Sequence, residues 1–523
     1  MDLLTELTRA DLDPALIAQV RSLIEQSGKT AQLQALLEHK SALLAEKDIK
    51  IRALTLELAH HKRIRFANKS EAFTPEQREL FQESWNTDLA AMEAELDQLS
   101  SAISPQKKTR KSTGRQPLPE HLPRIEHRHE PASCTCGQCG KDLVKIGEDI
   151  SEQLDVEPAR FFVHRHIRPQ YACRTCDTVT AEPIPAAVID GSLGAPGLHA
   201  WVTVQKFLDH LPLYRIEQIS GRQGVPIARS TLADWVGRIG VALQPLADRL
   251  AELLRERLIL HADETPVPLL DPGQGKTKRA YLWAYRSNDL DTGPPMIVFD
   301  FQPNRSGSHA RDFLHGWRGH LMVDDYGGYK ALFQSGITEL GCMAHARRKF
   351  FELHAANQSP IAAEALQRIG ELYAIESEGK ALDAESRTRL RQEKAQPKLE
   401  ALHAWLQTTR RTVAEGSGIA KAIDYSLKRW PVLMRYAQSG DMPIDNNPIE
   451  NAIRPIAIGK KNWLFAGSER AGKRAAAIQS LLGTAKLNGL EPYAWLRDTL
   501  EKLPLWPNSR IDELLPLRAS STS

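Results

Sequence analysis

Cysteine is scarce in this chain, with six residues among 523. A small secreted scaffold held together by disulfides contains a much larger share, so that class of protein is excluded. Four of the six form two CxxC pairs, and 33 residues separate the pairs. Thiolates in this spacing are typical of a structural zinc site in a reducing compartment. The four candidate ligands are Cys136, Cys139, Cys173 and Cys176.

Long apolar runs are also missing. No run approaches the roughly 18 residues expected of a membrane-spanning helix. The first residues, MDLLTELTRADLDP, interleave acids with leucines and do not resemble a signal peptide. The sequence therefore predicts a cytoplasmic protein with no membrane partner.

A strong excess of charge of one sign is absent too, because the net charge is only +3. The overall totals therefore do not indicate a polyanion binder, but the local pattern does. Residues 104–123 read as an extended basic linker that could lie along DNA. Its candidate DNA contacts are Lys107, Lys108, Arg110 and Lys111.

Residues 1–103 are predicted to be helical, with a coiled coil. Leu37, Leu44, Ile51 and Leu58 recur every seven residues, which is the spacing of a coiled-coil seam. This pattern favours self-association into a homodimer or higher oligomer, and a helix pair docked on the body of the protein is the alternative. A basic arm, HHKRIRFANKSEAF, follows the seam and suits contact with phosphates.

Residues 124–185 are predicted to form a zinc ribbon. The segment RFFVHRHIRPQYA, between the two CxxC pairs, alternates in the way that strands do. Four thiolates would give a closed tetrahedral site with a structural Zn²⁺. Cys134 could replace Cys136 as a ligand, and four ordinary buried thiols are the alternative to a metal site.

Residues 186–250 are predicted to be helical and to resemble a helix-turn-helix. One helix should end near Gln223, a turn should follow at Gly224, and Ser230 should cap the next helix. In that case Arg229 or Thr231 could read DNA. A plain helical connector explains the pattern equally well.

Residues 251–350 contain acidic residues that indicate a catalytic site. The apolar segment RLILHADETPVPLL predicts a strand ending on Asp263, and two more strands and a helix follow. GHLMVDDYGGY then predicts a fourth strand that leads into Asp324 and Asp325. This order is that of a ribonuclease-H-like core, in which the first and fourth strands lie side by side, so their acids can share one site.

A third carboxylate is available in residues 441–490, which are predicted to be the last part of this core. Asn447 is a plausible N-cap, Pro448 fits the first helical turn, and Glu450 follows. A glutamate at this place could instead only close a capping box. The basic residues that follow suit DNA held near an acid, and they are Arg454, Lys460 and Lys461.

Three carboxylates suit hard divalent cations, Mg²⁺ or Mn²⁺, which catalyse phosphoryl transfer in pairs. Residues 351–440 read as a helical insertion in the core, and residues 491–523 read as a C-terminal tail. Cys342 and His345 form a CxxH pair that favours core packing over a metal site. The predicted fold class is therefore a multidomain α+β protein with a coiled coil, a zinc ribbon, a helical segment and an α/β catalytic core.

The chain resembles the large transposase subunit of the insertion-sequence-66 family of bacterial mobile elements. The resemblance covers most of the chain and rests on several motifs: NKSEAF, IGEDISEQLDV, HLPLYR, STLADWVGR, HADETP, VDDYGGY, CMAHARRKFF and DNNPIENAIRPIAIGKKNWLFAGSERAG.

The resemblance implies a metal-dependent DNA transposase of the acidic-triad type. Such an enzyme cuts the terminal inverted repeats of its element and joins the 3′-hydroxyl ends to target DNA. Motif matching assigns the triad to Asp263, Asp324 and Glu450, and leaves Glu264 and Asp325 as supporting or solvated groups. The resemblance also implies a nucleoid-associated protein and accessory proteins encoded by the same element. The competing hypothesis is a non-catalytic DNA-binding regulator, which would have no need for all three acids.

Overall fold

The computed structural model describes residues 122–130, 144–157, 160–173, 178–271 and 276–518, together with isolated residues between 34 and 176. The chain divides into two compact units, residues 1–71 with 89–116, and residues 72–88 with 117–523. Among the described residues, no helix is both long and apolar enough to cross a bilayer. Several predicted site residues lie outside the described residues, namely Lys107, Lys108, Arg110, Lys111, Cys136 and Cys139.

The described residues of the first unit are helical. Leu37, Leu44 and Ile51 keep 60–65% of their surface exposed. These apolar side chains therefore share the seven-residue spacing without being covered in the isolated chain. Leu58, the fourth member of the predicted seam, lies outside the described residues.

A four-stranded sheet occupies the region predicted as a ribbon. Its long hairpin pairs β2 with β3 antiparallel, while β1 pairs with β3 in parallel and β4 pairs with the end of β3. The predicted strand RFFVHRHIRPQYA is thereby confirmed. The strands are β1 (Arg124–Arg128), β2 (Val144–Glu157), β3 (Arg160–Ala172) and β4 (Val179–Thr180).

Three helices follow: α1 (Pro196–Phe207), α2 (Leu213–Arg222) and α3 (Arg229–Leu254). The turn after α2 passes through Gly224 at φ +75°, a backbone conformation that glycine adopts at little cost. The prediction that Ser230 caps α3 was wrong, because the cap is Ala228 and Ser230 lies inside the first turn. Arg229 is held by Glu217 of α2, 2.9 Å from its carboxylate, so this guanidinium is already engaged within the helix pair.

A second, five-stranded sheet carries the acids. Its order is β7-β6-β5-β8-β9, with β5 parallel to β8 and antiparallel to β6. The prediction that the first and fourth strands of this region are neighbours is therefore confirmed. The fifth strand was not predicted. The strands are β5 (Ile259–Asp271), β6 (Lys276–Ser287), β7 (Ile297–Gln302), β8 (His320–Val323) and β9 (Thr338–Gly341).

Helices cover both faces of this sheet. On one face Leu260, Ala262 and Trp283 join the largest apolar core, which also contains residues of α1 and α3. On the other face Val267 and Leu269 pack with residues of α11. The remaining helices are α4 (Gly307–Phe313), α5 (Lys330–Phe333), α6 (Met343–Asn357), α7 (Pro360–Glu378), α8 (Ala384–Leu390), α9 (Gln396–Arg410), α10 (Gly418–Leu433), α11 (Asn447–Trp463), α12 (Glu469–Leu487) and α13 (Pro492–Lys502).

Helices α6 to α10 build a separate apolar core between β9 and α11. Arg391, which belongs to this segment, is a fully buried charged residue. The guanidinium donates to the carboxylate of Glu376 and to the main-chain oxygens of Tyr436 and Met442. Buried charge is stable only when it is paired in this way, so Arg391 ties the helices of this segment together.

Candidate functional site

Strand register aligns the first two acids. The last ladder pair between β5 and β8 is His261 with Met322. Two residues further along each strand the chain reaches Asp263 and Asp324, respectively. Two parallel neighbours keep this alignment, so the two carboxyl groups belong to the same edge of the sheet. The prediction that β5 ends on Asp263 was wrong, because pairing with β6 carries the strand on to Asp271.

Asp263 lies in an electrostatically unfavourable place. Burial, followed by the negative charges of Glu264, Asp324 and Glu450, raises the pKa of Asp263 to about 8. Its carboxylate is stabilised by the main-chain N–H of Glu264, which donates to Asp263 Oδ1 at 2.8 Å. Burial disfavours the charged form of a carboxyl group, and repulsion from neighbouring carboxylates adds to that effect. A bound cation would remove this repulsion.

Glu264 belongs to the opposite face of the strand. Successive residues of a strand point to opposite faces, and the Glu264 side chain is fully buried. Its carboxylate accepts from Arg305 and, at 2.8 Å, from the Tyr329 hydroxyl. Of the two roles expected for Glu264, supporting or solvated, the burial of its side chain excludes the solvated one. Its carboxylate is part of a buried ion pair and is not available as a ligand.

Asp324 and Asp325 have different partners. Asp324 Oδ1 accepts the main-chain N–H of Tyr326 at 2.9 Å, which shapes the turn after β8. Asp325 lies 3.3 Å from the guanidinium of Arg429 on α10. Asp325 is thus neutralised by a cation of the helical insertion rather than by solvent. Of the two neighbours, only Asp324 raises the pKa of Asp263 through its charge.

The third acid is carried by α11. The N-cap of this helix is Asn446 and not Asn447, and Asn446 makes no side-chain capping bond. Glu450 is consequently the fourth helical residue, outside the capping-box position. Its carboxylate is bound elsewhere: Arg348 of α6 donates to Glu450 Oε2 at 3.0 Å, and His345 Nδ1 lies 3.7 Å from Oε1.

Asn446 connects α11, the helix that carries Glu450, to β5, the strand that carries Asp263. Its side chain is fully buried. Its amide nitrogen donates to the main-chain oxygen of Ala262 at 2.9 Å, and its amide oxygen lies 2.9 Å from His261 Nδ1. The main-chain N–H of Asn446 also points to Cys342 Sγ at 3.2 Å. The start of α11 is therefore attached directly to the strand that carries Asp263.

Sequence reasoning missed this link. His261 and Asp263 alternate along β5 and so share a face, and that spacing was the available signal. Burial lowers the pKa of His261 to about 4, so the imidazole is neutral and can bond an amide. Cys342 lies in the core, where burial raises the pKa of its thiol to about 12. The expectation that Cys342 serves packing agrees with this position.

The donor set at the site fits a hard divalent cation. It consists of carboxylate oxygens, and Glu450 Oε1 is buried yet accepts no hydrogen bond within the described part of the chain. Among the described residues, no three histidine, cysteine or acidic side chains are close enough to hold a metal ion as they stand. Arg348 holds Glu450, one of the three proposed carboxylates, in an ion pair.

The predicted basic residues of α11 do not behave alike. Arg454 and Lys461 are exposed. Lys460 instead donates to the main-chain oxygen of Pro266 at 2.9 Å. Lys460 therefore fastens α11 to β5, while Arg454 and Lys461 remain accessible on the helix that carries Glu450.

The second CxxC pair lies at the end of β3. Cys173 is buried, and its main-chain N–H donates to the oxygen of Thr178 at 2.9 Å. Cys176 Sγ lies 3.2 Å from the Thr178 hydroxyl. Thr178 therefore contacts both cysteines, Cys173 through its main-chain oxygen and Cys176 through its hydroxyl.

Comparison with protein families gives matches along most of the chain. Residues 191–474 match the model described as transposase IS66 family. Residues 133–177 match the zinc-finger binding domain of transposase IS66, and residues 480–517 match the IS66 C-terminal element. Residues 53–126 match a model described as transposase C of IS166 homeodomain.

Curated relatives come from Sinorhizobium fredii (strain NBRC 101917 / NGR234). The uncharacterized protein y4qI is 37% identical over 524 residues, which covers 97% of this chain and 96% of the relative. The uncharacterized protein y4jD is 39% identical over 397 residues, covering 74% of this chain and 78% of the relative. The similarity therefore extends over both units of the chain.

Proposed function

Because the chain belongs to the IS66 transposase family, we propose that it is a DNA transposase that cleaves insertion-sequence ends and transfers the 3′-hydroxyl ends to target DNA. The observation that carries this proposal is the register of β5 and β8, which aligns Asp263 with Asp324. The strand order β7-β6-β5-β8-β9 supports a ribonuclease-H-like core in this proposal.

In this proposal Asp263, Asp324 and Glu450 form the catalytic triad. Asp263 lies on β5 and Asp324 directly follows the neighbouring strand β8, and the charges of Asp324 and Glu450 both act on Asp263. Asn446 holds that helix in place through its two bonds to β5. The triad residues would hold Mg²⁺ or Mn²⁺, since carboxylate oxygens are the hard donors that these ions prefer.

When bound, a pair of such ions would activate the attacking oxygen and stabilise the leaving oxygen. Arg348 holds Oε2 of Glu450, so Oε1 is the oxygen open to a cation, and both oxygens become available once Arg348 moves away. Arg348 is half exposed, so its side chain can move to a phosphate of the DNA without unfolding α6.

The zinc-finger match supports a structural Zn²⁺ bound by Cys136, Cys139, Cys173 and Cys176. DNA contacts are assigned to Arg454 and Lys461 on α11, with Lys460 in a positioning role, and to Lys107, Lys108, Arg110 and Lys111 in the linker. The exposed heptad residues Leu37, Leu44 and Ile51 support a homodimer or higher oligomer. Accessory proteins of the same element complete the proposed set of partners.

Cleavage of DNA carrying the inverted repeats that flank the gene tests the proposal. The full-length chain is incubated with Mn²⁺, and nicks at the repeat ends are mapped. Asp263→Asn, Asp324→Asn and Glu450→Gln should each slow cleavage by at least about 10³-fold, the equivalent of several kcal/mol of transition-state stabilisation. Binding of the same DNA should persist in all three variants.

Asp325→Asn is the matched control, because it removes the neighbouring carboxylate while leaving Asp324. It should retain cleavage if the fold tolerates the loss of the Arg429 contact. Cleavage by Asp324→Asn but not by Asp325→Asn would move the site by one residue. Specific binding without cleavage, even with the accessory proteins added, would favour the non-catalytic regulator.

A further inference from the structure

A groove lies beside the third acid, between the helical insertion and the start of α11. It encloses about 490 Å³ and is lined by residues of α6, α7 and α11. The charged lining residues are Arg347 and Arg348, and the aromatic ones are Phe351 and Tyr373. This volume suits a group the size of a small ligand rather than a double helix.

Two lining residues are unusual for a helix surface. Phe351 keeps 52% of its surface exposed, and the Arg347 guanidinium lies 6.0 Å from the centre of its ring. Exposing a large aromatic side chain gives up apolar burial. An exposed ring beside two guanidinium groups is the combination that binds single-stranded nucleic acid, by stacking on a base and pairing with phosphate.

The opposite wall is rigid and leaves room. The Tyr373 hydroxyl donates to Asp445 Oδ2 at 2.8 Å, which fixes the ring. Gly370 lies one turn before it on α7, where a Cβ atom would meet nothing within 4 Å. A glycine inside a helix lowers helix stability by about 1 kcal/mol relative to alanine. The chain has this less stable residue at a position that faces the open groove.

From this arrangement we propose that the groove binds an unpaired nucleotide of the DNA end, with its base against Phe351 and its phosphate between Arg347 and Arg348. This proposal rests on the proposed function for the identity of the DNA. Arg348 both lines the groove and contacts Glu450 at 3.0 Å. A phosphate bound by Arg348 therefore lies next to the third acid, and it competes with Glu450 for the guanidinium.

The test measures binding of the full-length chain to two DNAs in EDTA, so that no cleavage occurs. One is a blunt fluorescent duplex that ends in the inverted repeat, and the other carries three unpaired thymidines at the same end. The wild type should bind the second DNA more tightly by about fivefold to 100-fold, the range expected for base–aromatic stacking. Phe351→Ala should remove that preference.

Gly370→Leu is a second variant that removes no contact and no charge but fills the groove. It should also remove the preference, whereas Gly370→Ala should keep it. Leu258→Ala, at a side chain that is 74% exposed in the segment before β5, is the matched apolar truncation and should keep it too. Equal binding of both DNAs by the wild type, or a preference retained in Phe351→Ala and Gly370→Leu, would overturn the proposal.

Cleavage assays in Mn²⁺ separate this proposal from the proposed function. If the wild type cleaves DNA but binds the unpaired end no more tightly than the blunt end, nucleotide binding in the groove is overturned and the proposed function is not. The opposite result is that the wild type prefers the unpaired end, Gly370→Leu loses that preference, and the chain never cleaves DNA. That result would support nucleotide binding in the groove and would count against the proposed transposase activity. Arg347→Gln should weaken binding of the DNA with the unpaired end more than binding of the blunt duplex, and should reduce the salt dependence for that DNA by about one phosphate contact.

Discussion

Asn446→Ala is the perturbation with the most specific structural consequence. The side chain is fully buried and makes two bonds to β5, each 2.9 Å long, to Ala262 and His261. His261 Nε2 already lacks a partner among the described residues. The substitution would therefore leave a buried imidazole with neither ring nitrogen bonded.

The expected loss of stability follows from these contacts. Two buried hydrogen bonds contribute about 1 kcal/mol each, and an unsatisfied buried polar group adds a penalty of about 1–3 kcal/mol. Allowing for partial relaxation of the site, we expect Asn446→Ala to cost about 2–4 kcal/mol. Urea denaturation followed by tryptophan fluorescence measures this cost.

A functional loss should accompany it. Asn446 sets the position of α11 and hence of Glu450 relative to Asp263. A displacement of about 1 Å can slow a positioned reaction by about 100-fold. With saturating DNA and Mn²⁺, the cleavage rate of Asn446→Ala should fall by about 10- to 100-fold while DNA affinity changes little.

Asn447→Ala is the matched control. Asn447 is exposed, and its amide nitrogen donates to the carboxylate of Asp445, two residues earlier, at 2.8 Å. Its loss should cost less than about 1 kcal/mol. The reasoning is refuted if the two alanine variants are equally stable, or if Asn446→Ala is destabilised but cleaves at the wild-type rate.

Three further predictions concern parts of the fold outside the acid site. Arg391→Met removes the buried guanidinium at the centre of the helical insertion and should cost about 3–5 kcal/mol, whereas the exposed Arg389→Met should leave the urea midpoint unchanged. Burial lowers the pKa of His199 to about 4, below the roughly 6.5 of the unfolded chain. The unfolded chain therefore binds the extra proton between these values, and stability falls as the pH drops from about 6.5 to about 4. His199→Gln should reduce this loss of unfolding free energy by up to about 3 kcal/mol. The prediction is contradicted if the unfolding free energy of the variant falls between pH 7 and pH 4.5 by as much as that of the wild type. Cys173→Ser should release zinc in elemental analysis and Cys342→Ser should retain it; equal zinc in both would rule out the proposed ligand set.

Local patterns predicted much of the fold around the site. The apolar alternation of β5 and β6 and the helical spacing of the insertion identify those elements because side-chain periodicity is a property of adjacent residues. Element boundaries were less predictable. Asp263 was placed at a strand end because the apolar run gives way to acids there, but pairing with β6 continues through those acids.

The partners of the candidate site residues were the hardest to predict. The sequence near Glu450 offers two adjacent asparagines, and capping rules favoured Asn447. Tertiary contacts decide for Asn446, because its amide satisfies groups of β5 that are 184 and 185 residues distant. The contact between Arg348 and Glu450 was likewise not predicted. The two residues are 102 positions apart, and no local sequence pattern indicates that they meet.

The sequence by itself determined the candidate chemistry of this protein: three acids in specific motifs, two CxxC pairs and the family to which the chain belongs. These follow from residue identity and short spacing, which need no knowledge of the fold. Only the tertiary structure decided which groups meet. The parallel register aligns Asp263 with Asp324, Asn446 attaches α11 to β5, and α6 and α7 enclose a groove beside Glu450. Each depends on long-range packing, which local periodicity does not encode.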